Sequence, residues 1–213
     1  MIVSSTTVGA FAENSYLLVD EDTREAVFVD PGAEGDRLVE MLHQSGATLK
    51  AIWLTHAHID HIGGIAALRA VTDVPIHLHP LDRPIYDAGA LVSEGYGLPF
   101  DVPPPPDVEL AEGQRLRVGA TEFEVVHVPG HAPGHVAFIG NGKVFGGDLL
   151  FAGSVGRTDL LFGNPEQMAE SLARAATWDP KLIVYPGHGP KTTIGHEART
   201  NGFLTGAARP IAR

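Results

Sequence analysis

The chain has 213 residues, 44% hydrophobic and 19% charged, enough for one well-cored domain of ordinary soluble composition. Its net charge of −11 disfavours nucleic acid and anionic membrane surfaces as partners, and no apolar run reaches the roughly 18 residues of a membrane span. With no cysteine, disulfides and thiolate metal sites are excluded, so any bound metal must be held by nitrogen and oxygen.

The first eleven residues lack a basic start followed by an apolar core, so no leader is read there and a cytoplasmic home is expected. Residues 14–20 (NSYLLVD) and 25–30 (EAVFVD) predict two strands joined by a polar turn at 21–24. Helical spacing over 35–45 stops at Gly46. Residues 50–54 (KAIWL) form a short buried strand, followed by a histidine-rich turn and a helix from about 61 to 71. A strand at 75–78 and a helix at 80–88 follow.

Residues 95–107 are irregular, and the four successive prolines at 103–106 favour a stiff extended conformation. Histidine clusters lie on both sides of this run. If they share one site, both halves must pack together, so the run reads as a rigid surface loop near the site mouth and not as a linker. A single domain over 1–213 is the expectation. Strands return at 114–118, 122–128, 135–139 and 143–145. Residues 164–177 predict an amphipathic helix with Asn164 as N-cap and Pro165 at its first position. A last strand at 181–185 precedes a terminal helix at 195–204. This mixed order suggests sheets covered by helices.

The densest chemical signal is at 55–61 (THAHIDH), where His56, His58, Asp60 and His61 fall directly after a buried strand. Imidazole nitrogen suits zinc, iron and related metals, and a carboxylate offsets their charge. The Gly63-Gly64 pair that follows lets a helix start close to such ligands without side-chain obstruction. A second cluster, VPGHAPGH at 128–135, places His131 behind a Pro-Gly turn after a strand, while His135 opens the next strand as a structural or supporting residue. His127 lies within a strand as a packing or surface residue. Third is FGGD at 145–148, an acid at the end of an apolar strand whose two oxygens are able to bridge two cations. Last is VYPGHG at 184–189, again strand, Pro-Gly turn and histidine, here His188. Four strands thus end in candidate ligands, so their ends are expected to converge on one edge of the fold.

Together these motifs resemble those of the metallo-β-lactamase superfamily, and within it the glyoxalase II branch, the hydroxyacylglutathione hydrolases. The resemblance implies an α+β, four-layer αβ/βα sandwich. It implies that His56, His58 and His131 hold one metal, that Asp60, His61 and His188 hold a second, and that Asp148 bridges them. Two divalent ions follow, zinc first, with iron or manganese also admissible. They supply hydroxide near neutral pH to attack a carbonyl, with Asp60 as the catalytic residue that orients it. The implied substrate is a small acyl thioester, a glutathione conjugate among them, whose thiolate leaves without a dedicated acid.

In GSVGRTD at 153–159, Arg157 stands where this branch places a basic residue on the glutathione portion; a surface Arg157–Asp159 pair is the alternative reading. Tyr86, Tyr96 and Phe162 are candidates for the pocket wall, with plain packing as the alternative. Two departures stand out. Residue 159 is not the tyrosine the branch uses as a second glutathione contact, and only 25 residues follow His188, where full-length enzymes carry a helical domain. The segment 192–204 instead resembles short bacterial glyoxalase II-like proteins, and its His196 is not expected to ligate. Competing readings are a lactonase or β-lactamase, and a persulfide dioxygenase with one iron, which shares the GRTD segment. The Pro-Gly-His at 186–188 favours a second metal.

Overall fold

The computed structural model describes residues 1–210; residues 211–213 of the expected domain lie outside the described residues. The first half of the chain lays down β1 (Ile2–Val8), β2 (Glu13–Val19), β3 (Glu25–Val29), α1 (Gly35–Ser45), β4 (Thr48–Trp53), α2 (Ile59–Ile62), α3 (Ile65–Val71), β5 (Ile76–Leu78), α4 (Arg83–Asp87), α5 (Gly89–Tyr96) and β6 (Val108–Glu109). The second half adds β7 (Arg115–Val118), β8 (Thr121–His127), β9 (Val136–Gly140), β10 (Lys143–Gly147), β11 (Leu150–Phe151), β12 (Ser154–Val155), α6 (Pro165–Ala175), β13 (Ile183–Pro186), β14 (Thr192–Thr193), α7 (Ile194–Thr200) and α8 (Gly202–Thr205).

One sheet orders β1-β2-β3-β4-β5-β6, antiparallel up to β3 and parallel from there on. The other orders β14-β13-β10-β9-β8-β7, with β10 and β13 parallel and the remaining pairs antiparallel. Strand alternation decides how they stack, because successive side chains point to opposite faces. In β3, Val27 and Val29 face the second sheet while Phe28 turns outward to the helices; in β4, Trp53 and Ile52 divide the same way. Trp53 is buried between the sheets, 5.7 Å from the Phe123 ring and 5.3 Å from that of Phe138. Phe28 and Ile52 pack with Leu38 of α1 and Ile65 and Leu68 of α3. On the far side, Val126, Ala137 and Val184 pack with Met168 and Leu172 of α6. The result is helix, sheet, sheet, helix, the sandwich expected.

Local differences have physical causes. The helix expected over 61–71 breaks at Gly63-Gly64, where the Gly64 N–H donates to the carbonyl of Pro31 at 2.9 Å. A Cβ on Gly63 would stand 2.5 Å from the Gly32 carbonyl oxygen, so the chain passes too close for any side chain. Residues 95 and 96, expected in the irregular loop, are instead the last turn of α5, which ends at Gly97 with φ +68°. The four prolines line no part of the cavity described below; the Pro104 carbonyl accepts from the Tyr86 hydroxyl at 2.7 Å. The terminal helix divides at Asn201, whose side chain caps α8 by accepting from the Phe203 N–H. The edge strand β1 and the short strands β6, β11, β12 and β14 carry little signal of their own, since pairing and not local pattern makes them strands.

Candidate metal centre

The ends of β3, β4, β10 and β13 and the turn between β8 and β9 meet along one edge of the sandwich. Asp30, just past β3, anchors the turn that follows β4. Its carboxylate accepts from the Thr55 N–H at 2.7 Å, from the Thr55 hydroxyl at 2.6 Å and from His61 Nδ1 at 3.1 Å. The Thr55 hydroxyl, having given its proton to Asp30, accepts from His56 Nδ1 at 3.0 Å. His131 Nδ1 donates to the Arg157 carbonyl at 2.7 Å. In His56, His61 and His131 one ring nitrogen is therefore held from behind, which fixes the tautomer and leaves Nε2 with its lone pair turned inward, as in metal-ligating histidines.

Those nitrogens face one another and the acids. His58 Nδ1 lies 2.8 Å from His131 Nε2. His188 Nε2 lies 3.3 Å from Asp60 and 3.5 Å from Asp148. Asp148 stands between the groups, one oxygen 3.4 Å from His61 Nε2 and the other 3.4 Å from His131 Nε2. Candidate ligand atoms of His56, His58 and His131 lie within 4.8 Å of one another, as do those of Asp60, His61 and His188. Asp30, His56 and His61 also fall within that span, but the Asp30 oxygens are occupied by Thr55 and His61. All seven residues singled out in the sequence are brought together.

Electrostatics divide the two triads. Burial, with the neighbouring His61, holds His56 well below the usual imidazole range, and burial with His131 pushes His58 down to about 3. Burial likewise lowers His131 against the pull of Asp148. In the other triad burial opposes charge but loses: Asp60 and Asp148 raise His61 well above its ordinary value, and hydrogen bonds to Asp148 and Asp60 carry His188 to about 10. Burial is the largest single influence on Asp60 and Asp148 and would raise both, but His61 together with His188 at Asp60, and with His131 and His188 at Asp148, lowers them in sum, so both remain anionic. Neutral imidazoles and ionised carboxylates are what a divalent cation binds; the first triad and both acids already have that form, whereas a cation at the second triad would displace the protons that Asp60 and Asp148 hold on His61 and His188.

The residues fit two such cations on a further observation. His56 Nε2, His61 Nε2 and one Asp148 oxygen are buried without a hydrogen-bond partner among the described residues. Unpaired buried polar atoms are costly, and three at one point call for a shared positive partner. Space is kept for it by Gly187, where a Cβ would meet Asp148 Oδ1 at 2.2 Å.

Several supporting residues went unseen in the sequence. Asp30 had a legible signal, an acid ending an apolar strand before Pro31-Gly32, like Asp148. Asp82 and Glu13 had none, because only tertiary packing buries them. Asp82 accepts from the Ala57 N–H at 3.0 Å and the Gly134 N–H at 2.5 Å, tying the two histidine turns together. Burial pushes its carboxyl up to about 6 against those two hydrogen bonds. Glu13 is fully buried and accepts from Ser15 at 2.9 Å, and Ser15 in turn accepts from the Gly32 N–H. His135 turns Nε2 to the Asp148 N–H at 3.1 Å and so positions the bridging candidate. His127 stacks on His79 at 4.5 Å, and His196 lies in the first turn of α7 with its N–H on the Thr193 hydroxyl.

His58, Asp60, His131, Asp148 and His188 form the floor of a cavity of about 540 Å3. Tyr96 and Phe162 line its walls, as does Arg157, but Tyr86 does not; it is buried in the core, held by Pro104. Arg157 meets Asp159 in a fork, Nε at 2.6 Å and Nη2 at 2.8 Å.

The Metallo-beta-lactamase superfamily model matches residues 8–188. Hydroxyacylglutathione hydrolase GloC of Haemophilus influenzae is 35% identical over 209 residues, covering 96% of this chain and 98% of that protein. Among solved structures, TTHA1623 in a di-iron-bound form is 46% identical with a TM-score of 0.88, over 95% of this chain and 100% of that one. BLEG-1, a B3 metallo-beta-lactamase, is 37% identical with a TM-score of 0.89, over 96% and 100%. With its four-layer sandwich and its histidine–aspartate cluster at the strand ends, the chain belongs to the metallo-β-lactamase superfamily, whose members are generally hydrolases.

Proposed function

We propose that the protein is a dinuclear metal-dependent hydrolase of acyl thioesters, with His56, His58 and His131 holding one cation, Asp60, His61 and His188 the other, and Asp148 shared. The observation that carries this reading is the pair of triads meeting at Asp148, with unpaired buried atoms contributed by both. When bound, the two cations supply hydroxide near neutral pH and an electrophile for a carbonyl oxygen.

The chain's own residues do the rest. Asp60, at the cavity floor beside His188, orients the attacking oxygen and holds its proton. Asp30, Thr55 and the Arg157 carbonyl keep three imidazoles turned inward. Among the lining residues, the polar side chains outside the floor are Tyr96 and Arg157. Neither is an obvious acid for an amine or alkoxide, whereas a thiolate leaves unassisted. The likeness to GloC supports the thioester reading and makes a 2-hydroxyacyl thioester of glutathione its first example. Asp159 holds the Nε–Nη2 edge of Arg157, so a substrate carboxylate meets this guanidinium from its Nη1 side or displaces Asp159.

A second reading, lactam hydrolysis, is supported by the likeness to BLEG-1. Turnover of S-lactoylglutathione, a lactone and a β-lactam by metal-reconstituted protein separates them. Thioester hydrolysis is expected to dominate; preferential β-lactam opening would overturn the assignment.

A further inference from the structure

The cavity above the metal cluster has two chemically different parts. Its floor is polar and held from behind. Its walls are apolar: Ile85, Ala88 and Val92 on one side, Phe151, Leu160 and Phe162 on the other. At the mouth Phe11 and Tyr96 meet edge to face at 5.4 Å. Leu161, Phe162 and Tyr96 stand 62%, 53% and 57% exposed. Exposed apolar side chains gathered at the entrance to a catalytic cavity mark a surface that meets apolar ligand.

The walls offer little to a charged one. Arg157 is the one charged side chain among the lining residues outside the floor, and its fork faces Asp159. Glutathione carries two carboxylates and an ammonium, and that one guanidinium, shared with Asp159, is the charged group the lining residues outside the floor offer to them. An apolar chain, by contrast, gains from every methylene placed against these walls.

We propose that the cavity takes the apolar chain of a medium-chain acyl thioester, with the carbonyl at the floor and a small uncharged thiol portion toward the mouth. The inference rests on the thioester-hydrolase reading above and departs from its glutathione example, replacing the charged thiol with an uncharged one. In the reaction a hydroxide oxygen bonds to the carbonyl carbon and the C–S bond breaks with its electron pair going to sulfur. The thiolate then takes a proton from water, so the products are a carboxylate and a thiol and no redox partner is needed.

The test uses metal-reconstituted protein with acetyl, hexanoyl and decanoyl thioesters of N-acetylcysteamine, and S-lactoylglutathione as the charged comparator. Calorimetry in parallel measures binding of the corresponding ketones, in which CH2 replaces sulfur. From acetyl to hexanoyl, kcat/KM and ketone affinity are expected to rise roughly three- to fourfold per methylene, with a negative heat-capacity change on binding. The hexanoyl thioester should surpass S-lactoylglutathione by about tenfold or more. Ala88→Phe, and independently Val92→Phe on the exposed face of α5, should cut hexanoyl turnover by about tenfold and lower the hexanoyl-to-acetyl ratio of kcat/KM; a ratio equal to wild type in both variants would overturn the proposal.

Turnover indifferent to chain length, with S-lactoylglutathione preferred, would overturn the proposal and leave thioester hydrolysis standing. If fully loaded protein cleaved no thioester, the hydrolytic reading would fail instead. The ketones would then decide: affinity rising with chain length upholds the apolar assignment, and flat affinity overturns it.

Discussion

The floor and the walls of the cavity are built by opposite means. The floor residues sit at strand ends, in turns or, for Asp60, in the short α2, and buried hydrogen bonds pin these segments: Asp30 to Thr55 and His61, Asp82 to Ala57 and Gly134, His135 to the Asp148 amide. The walls come from α4, α5 and the segment around residues 151–162, much of it exposed and held chiefly by van der Waals contact. A floor fixed to fractions of an ångström suits bond-making chemistry; walls that need only be apolar suit selection of a substrate. Changes to the floor should therefore alter whether the enzyme works, and changes to the walls what it works on.

The largest effect belongs to the shared acid. Asp148→Ala should empty the site of metal, measured by mass spectrometry of the protein's metal content, and lower hydrolysis by about 10²–10³-fold or more. Retention of both ions would place the bridge elsewhere. One layer back, Asp30→Ala should weaken metal binding by about 10–100-fold without touching any candidate ligand atom directly. An affinity equal to wild type in a chelator competition would mean that the floor does not depend on its backing.

Asp82 gives a smaller effect with a definite pH signature. Its folded value of about 6 lies above the ordinary 3.8. The neutral form is thus favoured by folding, and the stability it contributes is full below about pH 4 and lost as pH rises through about 6. Some two pKa units correspond to about 3 kcal/mol. Chemical denaturation of chelator-stripped wild type and Asp82→Asn at several pH values checks this. The difference between them should change between pH 4 and 6 and level off above. At the wall, Arg157→Ala should change thioester kcat/KM by less than about threefold, because an exposed pair contributes little. A tenfold rise in KM for S-lactoylglutathione would restore Arg157 as a glutathione contact.

The same division explains what could be read from the sequence. Floor residues announce themselves because donor-rich turns follow apolar strands, and four such turns in one chain have few folds to satisfy. The sheets were legible for the same reason, with Trp53 and Phe28 in strands whose alternation survives in the core. The broken helix at Gly63-Gly64 was not, because its cause is the approach of Pro31 and Gly32 from elsewhere in the chain. Nor was α5: Gly89 and Gly95 within it lower its local helical signal, and Phe100 packs on Gly89 only in the folded state. Asp82 looked like an ordinary acid after a proline, and burial alone gives it a role. Tyr86, Tyr96 and Phe162 were indistinguishable in sequence, and tertiary packing sent the first to the core and the other two to the cavity.

The central claim is a floor that works with two cations to hydrolyse. Its most direct test is titration of chelator-stripped protein with zinc, iron(II) or manganese(II), following thioester turnover, metal bound and oxygen consumption together. The account predicts two ions bound per chain, activity that reaches its full value only with the second, and no oxygen uptake. Full activity with a single iron, accompanied by persulfide-dependent oxygen uptake, would contradict it.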